Sequence, residues 1–327
     1  RLVDDLAVVD PGSTDRTAQT AAAAGAKVVH RDEVLPRLPA LGDYARYLIV
    51  TLAHCRFVEK HFPAENARAS ANGADFHCKP NSVRELFPII HQLYVLRSWG
   101  VKGDFAEFGC FKGYSSSMLS FACQQLGIAM HIFDSFEGLP PSEGSGYQAG
   151  QYAGSLDEVR ENVTRFGAIG AVQFHKGFFS DTFRSWRPPP LMCLWMDVDL
   201  EVSSRDLMGI ADRVDPRGTL FSHECSADIF RNGEIRSDPA PDNPIAPMLS
   251  RFDELGRSLT GRYVSGYTAA FWPREGGTPV MVVAIPLTYW LIPQSADPPD
   301  GPREGLSEVV AGLGIIVGAL SAQQYIH

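Results

Sequence analysis

The sequence predicts an α/β chain: a parallel, doubly wound sheet with one antiparallel strand, preceded by a helical cap and a short β-α-β fragment. Three observations carry this. From Gly103 onward, short apolar runs alternate with helical stretches. Glycines and acidic residues stand at the ends of those runs. The last two runs follow each other with no helix between them. Strand–helix alternation gives parallel strands joined by crossover helices, and a final pair without a helix gives a hairpin.

Residues 1–37 form the first piece. A strand at Leu6–Val9 ends on Asp10, a Gly-Ser-Thr-Asp turn follows, and an alanine-rich helix over 14–24 leads to a second strand, Lys27–His30. Ser13 or Asp15 can cap that helix. Residues 38–100 read as a helical cap or lid. "RYLIVTLAHCRFVEKHF" and "NSVRELFPIIHQLYVLRSWG" repeat apolar residues at three- and four-residue intervals, the second opening at Asn81 as N-cap and closing at Gly100. The polar stretch between them reads as a loop. His54, His61, His77 and His91 are expected to be structural or exposed.

Residues 101–292 are the main domain. Strands are expected at 104–109, 131–136, 172–177, 191–199 and 218–224, with helices at 115–126, 155–167, 203–214 and 243–256. Two last strands, "RYVSGYTAAFW" and "PVMVVAI", flank the turn-type insert "PREGGT". Residues 293–327 read as a proline-rich linker and tail.

Bulk properties narrow the function. With 327 residues, 45% hydrophobic, 20% charged and a formal charge of −9, the chain is ordinary for a soluble protein and carries no basic bias for nucleic acid. Six cysteines without C-x-x-C spacing suggest reduced thiols. No run approaches the ~18–20 apolar residues of a membrane span, and "RLVDD" does not open a signal peptide. A cytoplasmic enzyme is expected, with a homo-oligomer left open.

The stretch "DFAEFGCFKGYSSS" puts Glu107 and Gly109 at a strand tip, then Gly113 and serines at a helix start. Glycine lets backbone approach a ligand, and a helix N-terminus favours negative charge. The spacing is neither that of a nicotinamide-binding turn nor of a P-loop. One strand later Asp134 stands where a carboxylate can accept from both hydroxyls of a ribose. Further on, "LWMDVDLEVSS" places Asp197 and Asp199 at alternate positions, on one side of a strand. Such a pair can hold a metal diphosphate, or supply a metal ligand and a base. The next strand ends in His223 and Glu224. A neutral imidazole, with its ordinary pKa near ~6.5, can also take a proton there.

Two resemblances follow. "VVDPGSTDRT" with "RDEVLP" resembles the nucleotide-binding turn of GT-A family-2 glycosyltransferases, more narrowly glucosyl-3-phosphoglycerate synthases. It implies a fragment of such a fold, because Asp197 stands 187 positions after Asp10 (197 − 10), too far for that family's Asp-x-Asp. "GDFAEFGCFKGYSS", "DSFEGLP", "SLDEVRENVTRFG", "KGFFSDTF" and "MDVDLEVSSRDLM", over about 85–230, resemble the macrocin-type (TylF-like) sugar O-methyltransferases. This implies a Rossmann-like class I methyltransferase that uses S-adenosylmethionine and a divalent metal, Mg²⁺ in the family.

On that resemblance Glu107, Gly109 and Gly113, with Ser115 beside them, surround the methionine portion and Asp134 holds the ribose. Ser135 and Phe136 lie by the adenosine, and Gly177, Phe178 and Asp181 by the adenine. Asp197 is a metal ligand and Asp199 the base. His223 and Glu224 stand where the family has two acidic ligands. Imidazole in place of a carboxylate suits Mn²⁺, Fe²⁺ or Zn²⁺ better than Mg²⁺; alternatively no metal binds and His223 is the base. The expected reaction is methyl transfer to a hydroxyl of a glycoside or polyol. The alternatives are a metal-independent methyltransferase with another acceptor, or a glycosyltransferase-derived protein that binds a sugar nucleotide.

Overall fold

The computed structural model describes residues 7–10, 27–30, 41–63, 68–71, 74–77, 81–142, 146–186, 189–225, 229–231, 234–235, 243–277 and 280. It divides into two units, Arg1–Ala53 with Val283–His327, and His54–Val282. In the first unit the strands Ala7–Asp10 and Lys27–His30 pair in parallel, Ala7 opposite Lys27, within a residue of their expected positions. The helix expected between them and the tail after residue 292 lie outside the described residues. Helix α1 (Leu41–His61) runs through the division at Ala53.

In the second unit the polar stretch read as a loop contains a small antiparallel ribbon, Arg68–Ala71 with Ala74–His77. Its strands are too short and too rich in small residues to show a two-residue alternation. Helix α2 (Val83–Ser98) follows, and its cap is Ser82, not Asn81: the Glu85 carboxylate accepts from both the Ser82 N–H (2.8 Å) and its hydroxyl (2.7 Å).

The main sheet has seven strands: β1 (Asp104–Phe108), β2 (Met130–Asp134), β3 (Val172–Lys176), β4 (Leu191–Met196), β5 (Val214–Ser222), β6 (Leu259–Ser265) and β7 (Thr268–Pro273). Their order is β3-β2-β1-β4-β5-β7-β6. The first five are mutually parallel, and β7 runs antiparallel to both its neighbours. The order reverses at β1/β4, and α/β sheets bind ligands in the crevice at such a reversal. Between the strands lie α3 (Tyr114–Leu126), α4 (Leu156–Phe166), α5 (Phe179–Ser185), α6 (Glu201–Leu207) and α7 (Ala246–Glu254). α2 packs on α3 and α3 on α4, while α5 packs on α6 and α6 on α7, so the sheet is wound on both faces. β4 is buried along its whole length, as a doubly covered central strand must be.

Four expectations are corrected. "RYVSGYTAAFW" is not one strand but two, folded at Gly266 (φ +59°), which takes the left-handed conformation such a turn needs. The single antiparallel strand is therefore its second half, and "PVMVVAI", apart from Val280, lies outside the described residues. β5 begins at Val214, four residues early, with a pairing irregularity where Pro216 and Gly218 fall. The helix expected over 203–214 is α6 and a 3-10 turn, Met208–Arg213. β4 ends at Met196, so both aspartates of "MDVD" lie in the loop beyond it.

Candidate active site

The tips of β1 and β2 form one wall. Gly109 has φ +82°, and a Cβ there would lie 1.9 Å from the Asp197 carbonyl oxygen, so glycine lets the β1 tip pass the β4 tip. Gly113, at φ +83°, precedes the first residue of α3. Beneath them Glu107 is fully buried and accepts from Ser115 Oγ (2.6 Å) and Ser116 Oγ (2.5 Å). Burial pushes its carboxyl pKa up to about 8 against those two hydroxyls. Asp134 accepts the Cys110 N–H on Oδ2 (2.8 Å) and the Phe136 N–H on Oδ1 (2.7 Å), and burial raises its pKa as well. Ser135 Oγ donates to the Gly138 carbonyl (2.7 Å).

The tips of β4 and β5 form the other wall. Asp197 Oδ1 faces His223 Nδ1 at 3.2 Å, and Oδ2 accepts from Asn81 Nδ2 at 3.3 Å. On its far side His223 Nε2 faces Glu85 Oε1 at 3.4 Å. Burial alone would lower the imidazole pKa; the carboxylates of Asp197 and Glu85 overcome it and raise it to about 11. Glu85 answers in the opposite direction: burial would raise it, but His223 and Ser82 hold it down to about 2. Glu224 Oε1 accepts the N–H groups of both Val198 (2.8 Å) and Asp199 (2.9 Å), fixing the loop after β4. Asp199, at φ +58°, has its carboxyl pKa raised by burial and then by the charges of Asp197 and Glu224, and it accepts a hydrogen bond from Tyr147.

Both walls line one cavity of about 1080 Å³. Gly109, Ser115, Asp134, Ser135, Gly177 and Phe178 reach it from one end, and Asp197, Asp199, His223 and Glu224 from the other. Four non-glycine residues have positive φ among the described residues: Phe111, Phe136, Tyr152 and Asp199. Three of them line the cavity, and Phe136 directly follows Ser135. Strained backbone of this kind collects at functional sites.

Four residues expected at the cofactor do not line the cavity. Glu107 lies beneath it, Gly113 serves the start of α3, and Phe136 is buried behind Ser135. Asp181 is exposed on α5, a helix the sequence reading missed, and borders a separate shallow depression with His175 and Trp186.

The expected metal ligands Asp197, His223 and Glu224 share the cavity wall but do not fit an ion. Among the described residues no group of three or more His, Cys, Asp and Glu is arranged to hold one. The physical reason is in the contacts: Glu224 is turned to backbone N–H groups, and both His223 nitrogens are directed at carboxylates. With a carboxyl group against each nitrogen, the ring presents neither one to the cavity as a metal ligand. Glu85, Asn81, Tyr147 and Tyr267 were missed as members of this wall. The one sequence signal was Ser82-x-x-Glu85, which reads as a helix cap and hides its second contact.

Comparison with known proteins agrees with this architecture. Residues 89–222 match the family model described as Macrocin-O-methyltransferase (TylF). That segment, 134 of the 327 residues (222 − 89 + 1), is similar to the macrocin O-methyltransferases. It is a domain of the S-adenosylmethionine-dependent O-methyltransferase class. The solved O-methyltransferase NovP shares the fold, with a TM-score of 0.51 and 19% identity over 71% of this chain and 99% of that one. A 38-residue stretch is 60% identical to glucosyl-3-phosphoglycerate synthase of Mycolicibacterium smegmatis, covering 12% of this chain and 12% of that protein. The glycosyltransferase likeness is thus confined to a short piece. Among the described residues no helix is long and apolar enough to cross a membrane.

Proposed function

We propose that this O-methyltransferase domain methylates a hydroxyl of a sugar or other polyhydroxylated small molecule, with Asp199 as proton acceptor. The carrying observation is the single cavity that joins the glycine-rich tips of β1 and β2 to the acidic tips of β4 and β5. At about 1080 Å³ it exceeds the ~300–1,000 Å³ usual for one small ligand, leaving room for an acceptor beside the donor. The residues present suit the donor. Asp134 is fixed by the Cys110 and Phe136 N–H groups and lines the cavity, where its oxygens can also meet a ribose hydroxyl, and Ser115 and Phe178 border the same space.

S-adenosylmethionine supplies an electrophilic methyl, which the acceptor oxygen takes as the C–S bond breaks and its electron pair passes to sulfur. An alcohol oxygen is a poor nucleophile until its proton leaves. Asp199 is the group for that proton, because burial and its acidic neighbours raise its basicity above that of an ordinary carboxylate. Tyr147 holds the carboxylate in place, and Glu224 holds the backbone that carries it. Tyr147 and Tyr152, with rings 6.1 Å apart, offer apolar faces to the carbon side of a sugar ring. No step is routed through a metal.

The test is turnover of labelled S-adenosylmethionine across hexosides, glycerate glycosides and phenols. Transfer to hydroxyls of the first two is expected; turnover restricted to phenols rejects the polyol reading.

A further inference from the structure

Outside the methyl-transfer machinery proper, the contact that stands out is the clamp around His223. Glu85 reaches it from α2, an element that precedes the entire sheet. Its Oε2 is taken by Ser82, and its Oε1 is shared by His223 Nε2, the Tyr267 N–H and the Thr268 hydroxyl, each at 3.4 Å. The β6–β7 turn closes over this oxygen at Gly266, where a Cβ would come within 2.1 Å of it. On the other side Asp197 is held by His223 and Asn81. The ring also lies edge-to-face with Trp195 and with Tyr267, each at 5.9 Å.

Four carboxylates thus gather here: Glu85, Asp197, Asp199 and Glu224. The His223 ring stands between two of them, 3.2 Å from Asp197 Oδ1 and 3.4 Å from Glu85 Oε1. We propose that this site works without a divalent metal, the His223 ring clamped between Asp197 and Glu85 taking the place of the ion. With a carboxyl group against each ring nitrogen, neither nitrogen is turned to the cavity as a metal ligand. Glu85 is then a positioning residue. It fixes the ring, the ring fixes Asp197, and Asp199 stands two residues further along the same loop. The inference rests on the methyl-transfer reading for its consequence, but its test is independent of turnover.

The experiment uses the full chain, stripped of metal by chelator and labelled in its histidines. In NMR spectra the His223 ring is expected to show protons on both nitrogens and to stay sharp when Mn²⁺ is added. Selective broadening of that ring by Mn²⁺ would overturn the proposal. In calorimetry with Mg²⁺ or Mn²⁺ alone, the wild type is expected to give no saturable heat, whereas His223→Asp, which exchanges the ring for a ligand oxygen, is expected to gain at least tenfold in affinity. Saturable binding by the wild type would overturn the proposal. With an active acceptor, chelator is expected to change turnover less than twofold, and loss of turnover that added metal restores counts against it. If no acceptor is turned over, the functional reading fails while the NMR and calorimetric results still decide this one.

Discussion

The two ends of the cavity both bury carboxyl groups, and they neutralise the problem differently. At the donor end Glu107 and Asp134 are met by uncharged donors: two serine hydroxyls and two backbone N–H groups. The donors come from the following turn or the adjacent strand. At the acceptor end Asp197 and Glu85 are met by an imidazole between them, with partners 26 and 138 positions from His223 (223 − 197; 223 − 85). Burial inclines these acids to hold their protons and the neutral donors oppose it only in part, so Glu107 and Asp134 shift upward. A clamped cation keeps Glu85 ionised, and Glu85 shifts down to about 2. The donor end is a passive cradle and the acceptor end a charge array.

Substitution at either end should separate the two in kinetics. Asp199→Asn removes the proton acceptor but keeps shape and the Tyr147 contact. A kcat loss of about 10²–10⁴ is expected, as for removal of a general base, with S-adenosylmethionine affinity within a few-fold of wild type by calorimetry. Asp134→Ala should do the reverse. It deletes the acceptor for ribose hydroxyls and leaves the Cys110 and Phe136 N–H groups without their partner, so donor affinity should fall by about 10–100-fold. If Asp199→Asn weakened the donor and Asp134→Ala left it unchanged, the division of labour would be refuted.

What the sequence disclosed follows the same division. The glycines, Glu107, Asp134 and the "MDVD" loop sit within one strand–turn–helix span of their partners, and periodicity with turn chemistry locates such spans. The places of the first five strands along the chain were legible for that reason. Glu85 was not, because a capping box explains Ser82-x-x-Glu85 completely at the local level and nothing local points to β7. The "VSGYT" turn was read through because apolar residues flank it on both sides. Asp181 was misplaced for a related reason. In "KGFFSDTF" a seven-residue helix has too few turns to show a period, and α5 carries that side chain to solvent. The metal reading finds no support in the orientation of these groups: the right residue types share the wall, yet Glu224 Oε1 is turned to backbone N–H groups and the His223 nitrogens to carboxyl groups.

The donor end also carries a pH signature. Glu107 has an ordinary carboxyl pKa of 4.5 when unfolded and about 8 when folded. Because the folded value is raised, its contribution to stability is fully present below pH 4.5 and is lost as pH rises through 8. The scale is on the order of 1.4 kcal/mol per pH unit in between. Glu107→Gln keeps an acceptor for the serine hydroxyls and cannot ionise. Urea midpoints at pH 5 and pH 8 should therefore differ less in the variant than in wild type; equal differences would show that Glu107 is already ionised in the fold.

The smallest expected effect tests how tightly the acceptor end is closed from outside. Gly266→Ala adds a methyl group to a left-handed residue, and that methyl would sit 2.1 Å from Glu85 Oε1. Gly100 provides the control: it is also left-handed, at φ +74°, but its missing Cβ would meet nothing within 4 Å. Alanine at either position incurs backbone strain of about 1 kcal/mol. Only at 266 must a held carboxylate also move. Gly100→Ala should lower the melting temperature by about 2–4 °C and leave turnover unaltered. Gly266→Ala should lower it further and reduce kcat without changing donor affinity, because displacing Glu85 releases His223 from one side. If the two variants behaved alike, the hairpin would not be gripping Glu85, and the ring would depend on Asp197 alone for its orientation.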